Sequence, residues 1–369
     1  MLDSAMVATV SEIIDVEQLE TVITTDPVKS AQKAGLRYVS DERPGITRKG
    51  AGRGFSYIDV NGDRITDTAE RKRLEALSIP PNFTDVWICP LPNGHLQATG
   101  RDAKGRKQYI YHSDWRKFRS QSKFNRMVLF GAHLPQIRST TDKHLKRRNL
   151  SREKVLATVV QLLETTLIRV GNDQYARQNR SFGLTTMRDR HVEISGSKVK
   201  FEFRGKSGIN HEIELQDRRL ARIVKSCRDI PGYELFQYYD ENGDRATIDS
   251  GDVNDYLQEI TGQEFTAKDF RTWAGTLLAL LALDEMGPFE KESQAKKNVA
   301  QAVKIVAKQL GNRPATCRKY YVHPAIIDAY TEGWLPSMMQ EKEVSDGLHP
   351  EEYIVLDIIQ RHLEQSSEE

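Results

Sequence analysis

Three short stretches of the sequence hold arginine, lysine and tyrosine residues of the kind that handle phosphate esters. The first comprises residues 167–172 (LIRVGN) with 183–186 (GLTT), the second residues 268–273 (KDFRTW), and the third residues 310–324, which include LGNRP and CRKYYVHP. A guanidinium stays charged and can bind a phosphate through two donors, and a phenol loses its proton more readily than an alcohol. These residue types favour transfer of a phosphoryl group to tyrosine, with arginine holding the transition-state charge.

Charge is distributed unevenly along the 369 residues. The net charge is +2, yet residues 1–30 hold six acids and one lysine, and residues 341–369 hold nine acids and two bases, so the middle of the chain is strongly positive. The densest segment, 101–150, has fourteen Lys/Arg against three Asp, with Tyr109 and Trp115 among them. Clustered cations favour a nucleic-acid partner, because they neutralise phosphates and release counterions. A solvated surface is the alternative explanation.

The composition also bears on compartment and on metal sites. No apolar run reaches the roughly 18 residues of a membrane span, and we expect the longest run, residues 273–283, to be a buried helix. The acidic N-terminus is unlike a signal peptide, which favours the cytoplasm. Cys89, Cys227 and Cys317 are far apart and lack C-x-x-C spacing, so neither a zinc site nor a disulfide framework is expected.

Three motifs resemble ligand-binding loops but lack a residue that the ligand requires. Gly205-Lys206-Ser207 could end a P-loop, but Lys200 stands where the first glycine is needed. Residues 59–63 (DVNGD) and 240–244 (DENGD) resemble the start of a calcium loop, but arginine follows where the sharp turn requires glycine. We interpret both as tight β-turns. No carboxylate cluster for a two-metal nuclease stands out, although scattered acids could assemble in space.

Periodicity divides the chain into a β-rich part and a mainly helical part. Residues 57–60 and 64–66 flank Asn61-Gly62, which predicts a hairpin. Ser151 is the predicted N-cap of a helix that runs to about Arg169. The other predicted strands are 85–90, 95–99, 107–112, 191–194, 199–204 and 209–215, and the other predicted helices are 11–22, 215–228, 252–260, 266–285, 293–310 and 350–364.

In order and spacing, the three motif-bearing stretches resemble the type IB DNA topoisomerases, in particular their compact bacterial and poxvirus branch. The resemblance covers about residues 40–340 and implies an α+β fold that forms a C-shaped clamp on duplex DNA. It implies relaxation of supercoils through a 3′-phosphotyrosine intermediate, by a monomer at the nucleoid, without ATP, metal or other cofactor. With the patterns above, it predicts an acidic extension (1–32), a β-rich DNA-binding domain (33–113), a helical catalytic domain with a β insertion near 191–215 (114–345), and an acidic C-terminal helix or tail (346–369).

The resemblance also assigns roles to single residues. Arg169 and Arg271 would hold the phosphate, and Lys206 would protonate the leaving 5′ oxygen. Tyr321 would be the nucleophile, and its phosphotyrosine would conserve the bond energy that resealing needs. The supporting or DNA-contacting residues would be Lys268, Tyr175, Arg101, Lys104, Arg106 and Lys107.

One position departs from the poxvirus pattern. Those enzymes have a histidine nine residues before the nucleophile, where this chain has Asn312, as the bacterial relatives do. An amide can donate a hydrogen bond to a phosphate oxygen, but it cannot carry charge or shuttle a proton. Counting nine residues on from Asn312 selects Tyr321 rather than Tyr320, and residues 321–324 (YVHP) resemble the family's Tyr-apolar-x-Pro.

Simpler explanations exist for each residue taken alone. Arg169 could cap a helix dipole, Lys206 could be a solvated turn residue, and Arg271 could pair with Asp269. Two alternative functions also stay open. A tyrosine recombinase shares the covalent chemistry, but usually has His-x-x-Arg where this chain has residues 268–271. A non-catalytic DNA-binding clamp would bind without forming an adduct.

Overall fold

The structure is a computed structural model that describes residues 26–52, 54–103, 105–340 and 347–368. It divides into two compact units, one of residues 20–124 and one that includes residues 125–369. The first is built on a β-sheet and the second is mainly helical, so the predicted α+β class is confirmed. The helix predicted at 11–22 lies outside the described residues. Within those residues, none of the helices has the length and hydropathy that a bilayer crossing requires.

The N-terminal unit contains a five-stranded antiparallel sheet in the order β2-β1-β3-β4-β5. Its strands are Ile46–Ala51 (β1), Gly54–Ile58 (β2), Thr84–Ile88 (β3), Leu96–Arg101 (β4) and Lys107–Tyr111 (β5), and its helices are Pro27–Lys33 (α1) and Thr68–Ala76 (α2). Ile46, Ile88 and Ala98 pack with Leu74 of α2 in the core. The strands predicted at 85–90, 95–99 and 107–112 are confirmed as β3, β4 and β5.

The hairpin predicted around Asn61-Gly62 is confirmed in a reduced form. The Asp59 carboxylate accepts hydrogen bonds from the N–H groups of Asn61 and Asp63 (2.9 and 2.8 Å), and a single antiparallel bridge joins Ile58 to Arg64 across the turn. The longer pairing of β2 is with β1 on its other side, which places Tyr57 opposite Arg48. The sequence of β1, ITRKGA, does not alternate apolar and polar residues, so periodicity could not indicate it.

Among its described residues, the second unit contains ten α-helices, three short 3₁₀ helices and two small sheets. A further helix, Ser113–Leu145 (α3), spans the division between the units, which falls between Phe124 and Asn125. The helices are Arg152–Thr166 (α4), Asp173–Asn179 (α5), Arg218–Arg228 (α6), Ser250–Thr261 (α7), Ala267–Met286 (α8), Glu292–Leu310 (α9), Pro314–Tyr320 (α10), Pro324–Thr331 (α11), Leu335–Gln340 (α12) and Pro350–Glu368 (α13). The strands are Val192–Ser195 (β6), Lys198–Arg204 (β7), Asn210–Gln216 (β8), Gln237–Tyr239 (β9) and Arg245–Thr247 (β10).

Helix α4 begins where the sequence predicts and ends earlier. The Ser151 hydroxyl accepts a hydrogen bond from the Lys154 N–H (3.4 Å), which confirms the N-cap. The helix stops at Thr166 because Leu167 adopts the left-handed conformation, with φ 56°. Arg169 therefore lies beyond the helix in irregular backbone, and the interpretation of Arg169 as a cap of this helix dipole is wrong.

The predicted β insertion is confirmed as the antiparallel sheet β6-β7-β8. In the β7–β8 hairpin Phe203 lies opposite His211, and Arg204 lies opposite Asn210. Residues 205–208 form its turn, in which the Gly205 N–H donates to the Ile209 carbonyl (2.7 Å). The tight turn predicted at 240–244 is likewise present between β9 and β10, closed by the Asp240 carboxylate.

Helix α8 carries the predicted buried apolar run. Trp273 and Leu280 are buried, and the Trp273 indole N–H donates to Glu352 of α13 (3.3 Å). The same carboxylate accepts two hydrogen bonds from Arg138 of α3 (2.7 and 2.8 Å), so one partly buried carboxylate network joins α3, α8 and α13.

The first turn of α8 explains why Asp269 is not the partner of Arg271. The Asp269 carboxylate accepts hydrogen bonds from the N–H and hydroxyl of Thr266 (2.8 and 2.9 Å), which caps the helix. Its ion-pair partner is Arg126, at 3.7 Å. Arg271 is turned into the core from the other face of the helix. The surface ion pair between Asp269 and Arg271 is therefore wrong.

A buried histidine beside β6 makes stability depend on pH. His191 is 8% exposed, its Nδ1 accepts a hydrogen bond from the Arg188 N–H (3.1 Å), and its ring lies 4.4 Å from that of Phe182. Burial, aided by Arg190 and Arg188, lowers the pKa of His191 to about 4. An unfolded chain protonates this histidine near pH 6.5, whereas the folded protein resists protonation until about pH 4. Neutral His191 therefore makes its full contribution to the free energy of unfolding above the pKa of the unfolded chain, and this contribution is lost as the pH falls towards about 4.

We expect His191→Gln to flatten the acid side of the stability profile. Between the unfolded and the folded pKa of His191, the free energy of unfolding of the wild type should fall by up to about 3 kcal/mol more than that of the variant. The amide oxygen of glutamine can accept a hydrogen bond as the imidazole does, but it does not titrate. Urea unfolding of both proteins from pH 7 to pH 4 measures this difference. Parallel profiles for the two proteins would contradict the assignment to His191.

Candidate active site

Arg169 lies in a segment held in place by the GLTT motif. The Leu184 N–H donates to the Arg169 carbonyl (2.9 Å), and the Thr185 N–H donates to the Val170 carbonyl (2.7 Å). A Cβ on Gly183 would lie 2.4 Å from the Arg169 carbonyl oxygen, so this position accepts only glycine. The motif thus fixes the backbone from which the Arg169 side chain extends.

Arg271 extends from α8 into the same region and is almost fully buried, with 4% of its surface exposed. Its guanidinium donates to the carbonyl of Leu167, at the end of α4, and to the carbonyl of Leu310, at the end of α9 (2.6 Å). Burial, reinforced by the nearby charge of Arg169, lowers the pKa of Arg271 to about 10. Arg271 is therefore still charged at neutral pH.

The end of helix α9 brings the two arginines together. Gly311 terminates α9 in the left-handed conformation, with φ 57°. Arg169 donates to the Gly311 carbonyl (3.2 Å) and to the Asn312 side-chain oxygen. The Asn312 Nδ2 lies beside the Cys317 thiol and has no oxygen acceptor among the described residues. A buried donor of this kind suits an incoming phosphate oxygen.

Tyr321 follows helix α10 and lies against Arg271, whose guanidinium carbon is 5.7 Å from the centre of the tyrosine ring. Its backbone is packed on α8, because a Cβ on Gly275 would lie 2.5 Å from the Tyr321 carbonyl oxygen. The Thr276 hydroxyl lies 3.3 Å from that oxygen and accepts from the His323 N–H (3.1 Å). One helix therefore positions both Arg271 and Tyr321.

Tyr320 differs from Tyr321 in all these respects. It is the last residue of α10, it is 45% exposed, and its ring lies 5.3 Å from the Lys319 ammonium. The Tyr321 ring lies beside Arg271 and the Tyr320 ring lies beside Lys319, so the two rings face different surroundings. The geometry favours Tyr321, in agreement with the spacing from Asn312.

Lys206 lies on the β7–β8 turn, and its side chain is exposed. Ser207 beside it adopts the left-handed conformation, with φ 63°. No contact described for Lys206 joins it to the two arginines or to Tyr321. Its neighbour Gly205, however, lines the same cavity as Arg169, Arg271 and Leu310, so the turn borders the site.

The supporting residues predicted from the sequence lie at the surface. Lys268 is exposed on the first turn of α8, three residues before Arg271. Tyr175 lies on the short helix α5 and is 44% exposed. Neither has a described contact with Arg169, Arg271 or Tyr321.

The cations predicted to contact DNA from the N-terminal unit surround the β4–β5 hairpin. Each of the three described is close to a carboxylate: Arg101 to Asp85 (3.4 Å), Arg106 to Asp102 (2.7 Å) and Lys107 to Asp41 (2.5 Å). Lys104 lies outside the described residues. The hairpin is therefore less positive than its lysines and arginines alone indicate.

His211 belongs to the site, although no sequence motif indicates it. It is half-buried on β8 and lines the cavity with Arg169 and Arg271. Burial lowers the pKa of His211, and both arginines lower it further, so the ring is neutral at neutral pH. Glycines at 205 and 311 were signals in the sequence, but only the fold shows that both abut one ring.

Two further observations concern metals and thiols. Cys89, Cys227 and Cys317 are buried and form no disulfide. Across the part of the chain that the structure describes, no three His, Cys, Asp or Glu side chains are grouped so that they could hold a metal ion.

The family models and the related proteins that match this chain are all DNA topoisomerases. Residues 112–346 match the family model described as "Eukaryotic DNA topoisomerase I, catalytic core", and residues 54–102 match "Bacterial DNA topoisomerase IB, N-terminal domain". The DNA topoisomerase 1B of Acanthamoeba polyphaga mimivirus is 33% identical over 293 residues, which cover 78% of this chain and 87% of the viral protein. The DNA topoisomerase 1B of Vaccinia virus (strain Copenhagen) is 25% identical over 264 residues, which cover 69% of this chain and 80% of that protein.

Proposed function

The chain belongs to the type IB DNA topoisomerase family, and from this premise we propose that it relaxes supercoiled duplex DNA by cutting and resealing one strand through Tyr321. The observation that carries the proposal is the convergence of Arg169, Arg271 and Tyr321 around the end of α9. Two guanidiniums beside one phenol match a phosphate that is attacked by tyrosine.

In the proposed reaction the Tyr321 hydroxyl oxygen attacks the phosphorus and forms a 3′-phosphotyrosine. The bond between phosphorus and the 5′ oxygen breaks, and its electron pair leaves with that oxygen. Lys206 gives the oxygen a proton, while the phenol proton passes to water. The free end then rotates, and the reverse reaction reseals the strand without an external energy source.

In this reaction the two arginines provide more electrostatic stabilisation of the transition state than the neutral side chains do. Negative charge develops on the non-bridging oxygens, and fixed guanidiniums in a site with little water stabilise it strongly. Asn312 would add a neutral hydrogen bond through the Nδ2 that has no oxygen acceptor among the described residues. Lys268 and Tyr175 we assign to phosphate contacts near the cut.

For DNA binding, we assign residues 33–113 to one contact domain and residues 114–345 to the catalytic domain. The cations of 101–150 would bind the DNA backbone, so affinity should fall steeply with salt. Arg101, Arg106 and Lys107 must exchange carboxylate partners for phosphates, which makes them weaker contributors than unpaired lysines. We propose that the protein acts as a monomer on the DNA of the nucleoid.

We expect relaxation of both positive and negative supercoils without any nucleotide and in excess EDTA. The reason is that side chains of this chain supply the charge, the proton and the nucleophile, so neither ATP nor a divalent cation has a step to perform. Agarose-gel relaxation of a plasmid that carries no recombination site measures it. A strict need for ATP or a divalent cation would contradict the proposal.

Recovery of a covalent protein–DNA adduct separates the remaining alternatives. A non-catalytic clamp binds the plasmid and leaves no adduct, whereas a recombinase leaves a site-free plasmid supercoiled. Mass spectrometry of the trapped adduct should identify Tyr321 as the linked residue.

A further inference from the structure

The ring of His211 occupies a space that two glycines leave open. A Cβ on Gly205 would lie 2.6 Å from Cδ2 and 2.7 Å from Nε2 of the ring. A Cβ on Gly311 would lie 2.6 Å from its Cε1. One edge of the imidazole is therefore in close contact with two backbone segments that are distant in sequence.

Those two segments carry different parts of the proposed chemistry. Gly205 is followed by Lys206 at the β7–β8 turn. Gly311 precedes Asn312, and its carbonyl accepts the hydrogen bond from Arg169. The imidazole thus contacts both the turn that carries the acid and the segment that holds the phosphate ligands.

A neighbouring aromatic ring fixes the orientation of the His211 imidazole. His211 stacks on Phe203 of the neighbouring strand, with ring centres 5.1 Å apart and planes 20° apart. Phe203 is buried, so this support belongs to the core of the hairpin. Burial lowers the pKa of the imidazole, and the positive charges of Arg169 and Arg271 lower it further.

We propose that His211 is a positioning residue, which fastens the Lys206 turn to the end of helix α9 so that the proton donor is held in register with the phosphate site. The proposal rests on the proposed function, because it concerns the delivery of the leaving-group proton. In this role His211 touches neither substrate nor reacting atom; it acts through Lys206.

The test compares two leaving groups at one cleavage site mapped with wild-type protein. His211→Ala should slow single-turnover cleavage of an ordinary phosphodiester by roughly 10- to 100-fold, the cost of a misplaced catalytic group. A 5′-bridging phosphorothiolate, whose sulfur leaves without a proton, should be cleaved at close to the wild-type rate. Equal slowing on both substrates, or no slowing on the phosphodiester, would overturn the proposal.

A second variant keeps the ring and displaces it. Gly205 has an ordinary extended backbone (φ −94°), so the obstacle to Gly205→Ala is the imidazole itself. This variant should show the same loss, confined to the phosphodiester substrate. In Gly205→Ala/His211→Ala the obstacle is gone, so the double variant should be no slower than His211→Ala. Losses that simply multiply would contradict a shared cause.

Two controls separate positioning from general stability and from the reaction itself. His133, a half-buried histidine of α3 that bonds to the carbonyl of Leu129 (2.8 Å), contacts none of the site residues described above. His133→Ala should keep the wild-type ratio of rates on the two substrates even if its melting temperature falls. If wild type itself forms no adduct, the proposed function fails; if wild type cleaves but His211→Ala shows no substrate-dependent loss, only this inference fails.

Discussion

Tyr321→Phe is expected to abolish the covalent DNA adduct and all relaxation, while non-covalent binding stays nearly unchanged. The substitution removes the only atom able to form the phosphotyrosine bond and keeps the ring that packs beside Arg271. Binding should persist because backbone contacts by the cations of 101–150 dominate affinity. Adduct trapping on labelled DNA and a filter-binding assay at the same salt concentration measure the two quantities.

Tyr320→Phe is the matched control. It removes the same atom from the adjacent residue, whose ring is exposed beside Lys319, and it should retain substantial relaxation. Together the two variants test which of the two adjacent tyrosines is the nucleophile. If Tyr320→Phe were inactive and Tyr321→Phe active, the nucleophile would be misassigned, and the role of Asn312 would fall with it.

Lys206→Ala should slow strand cleavage by roughly 10²- to 10⁴-fold, the usual cost of a lost general acid. DNA affinity should change little, since one lysine is a small part of the phosphate contacts. The 5′-bridging phosphorothiolate should restore most of the rate, because the missing proton is then not needed. Single-turnover cleavage on both substrates measures this.

Lys198→Ala provides the comparison for Lys206. Lys198 is an exposed lysine at the end of β7 that is farther from the Lys206 turn, and it is paired with Glu214 (2.7 Å). The Lys198→Ala variant should cleave both substrates at about the wild-type rate. If Lys206→Ala cleaved both substrates slowly, Lys206 would be a phosphate contact and not the acid.

Elements with a clear period or a clear cap were predictable. The N-cap Ser151 and the apolar run of α8 carried local signals, and both are confirmed. Strand β1 and the end of α4 were not predictable, for different reasons. β1 lacks alternation and is defined by its partner strands, and α4 ends at Thr166 because the leucine that follows has a positive φ, which no local preference favours.

The family pattern proposes the residues of the site but not their arrangement. Spacing selected Arg169, Arg271 and Tyr321 from a family pattern, yet nothing local indicates that both arginines bind carbonyls at the end of α9. His211 shows the limit most clearly. Its neighbours Gly205 and Gly311 are more than a hundred residues apart, so only the folded chain identifies the contact.

The placement of Arg169 and Arg271 has a consequence for evolution as well as for catalysis. Both are held by neutral carbonyl and amide oxygens, and their positive charges repel each other inside the protein. Folding has therefore already met the cost of dehydrating and orienting the cations before any substrate arrives, which is preorganisation in its electrostatic sense. Under the proposed mechanism, a change that removed the charge of either arginine would relieve this repulsion and abolish the reaction, so selection for stability and selection for activity would oppose each other at these two positions.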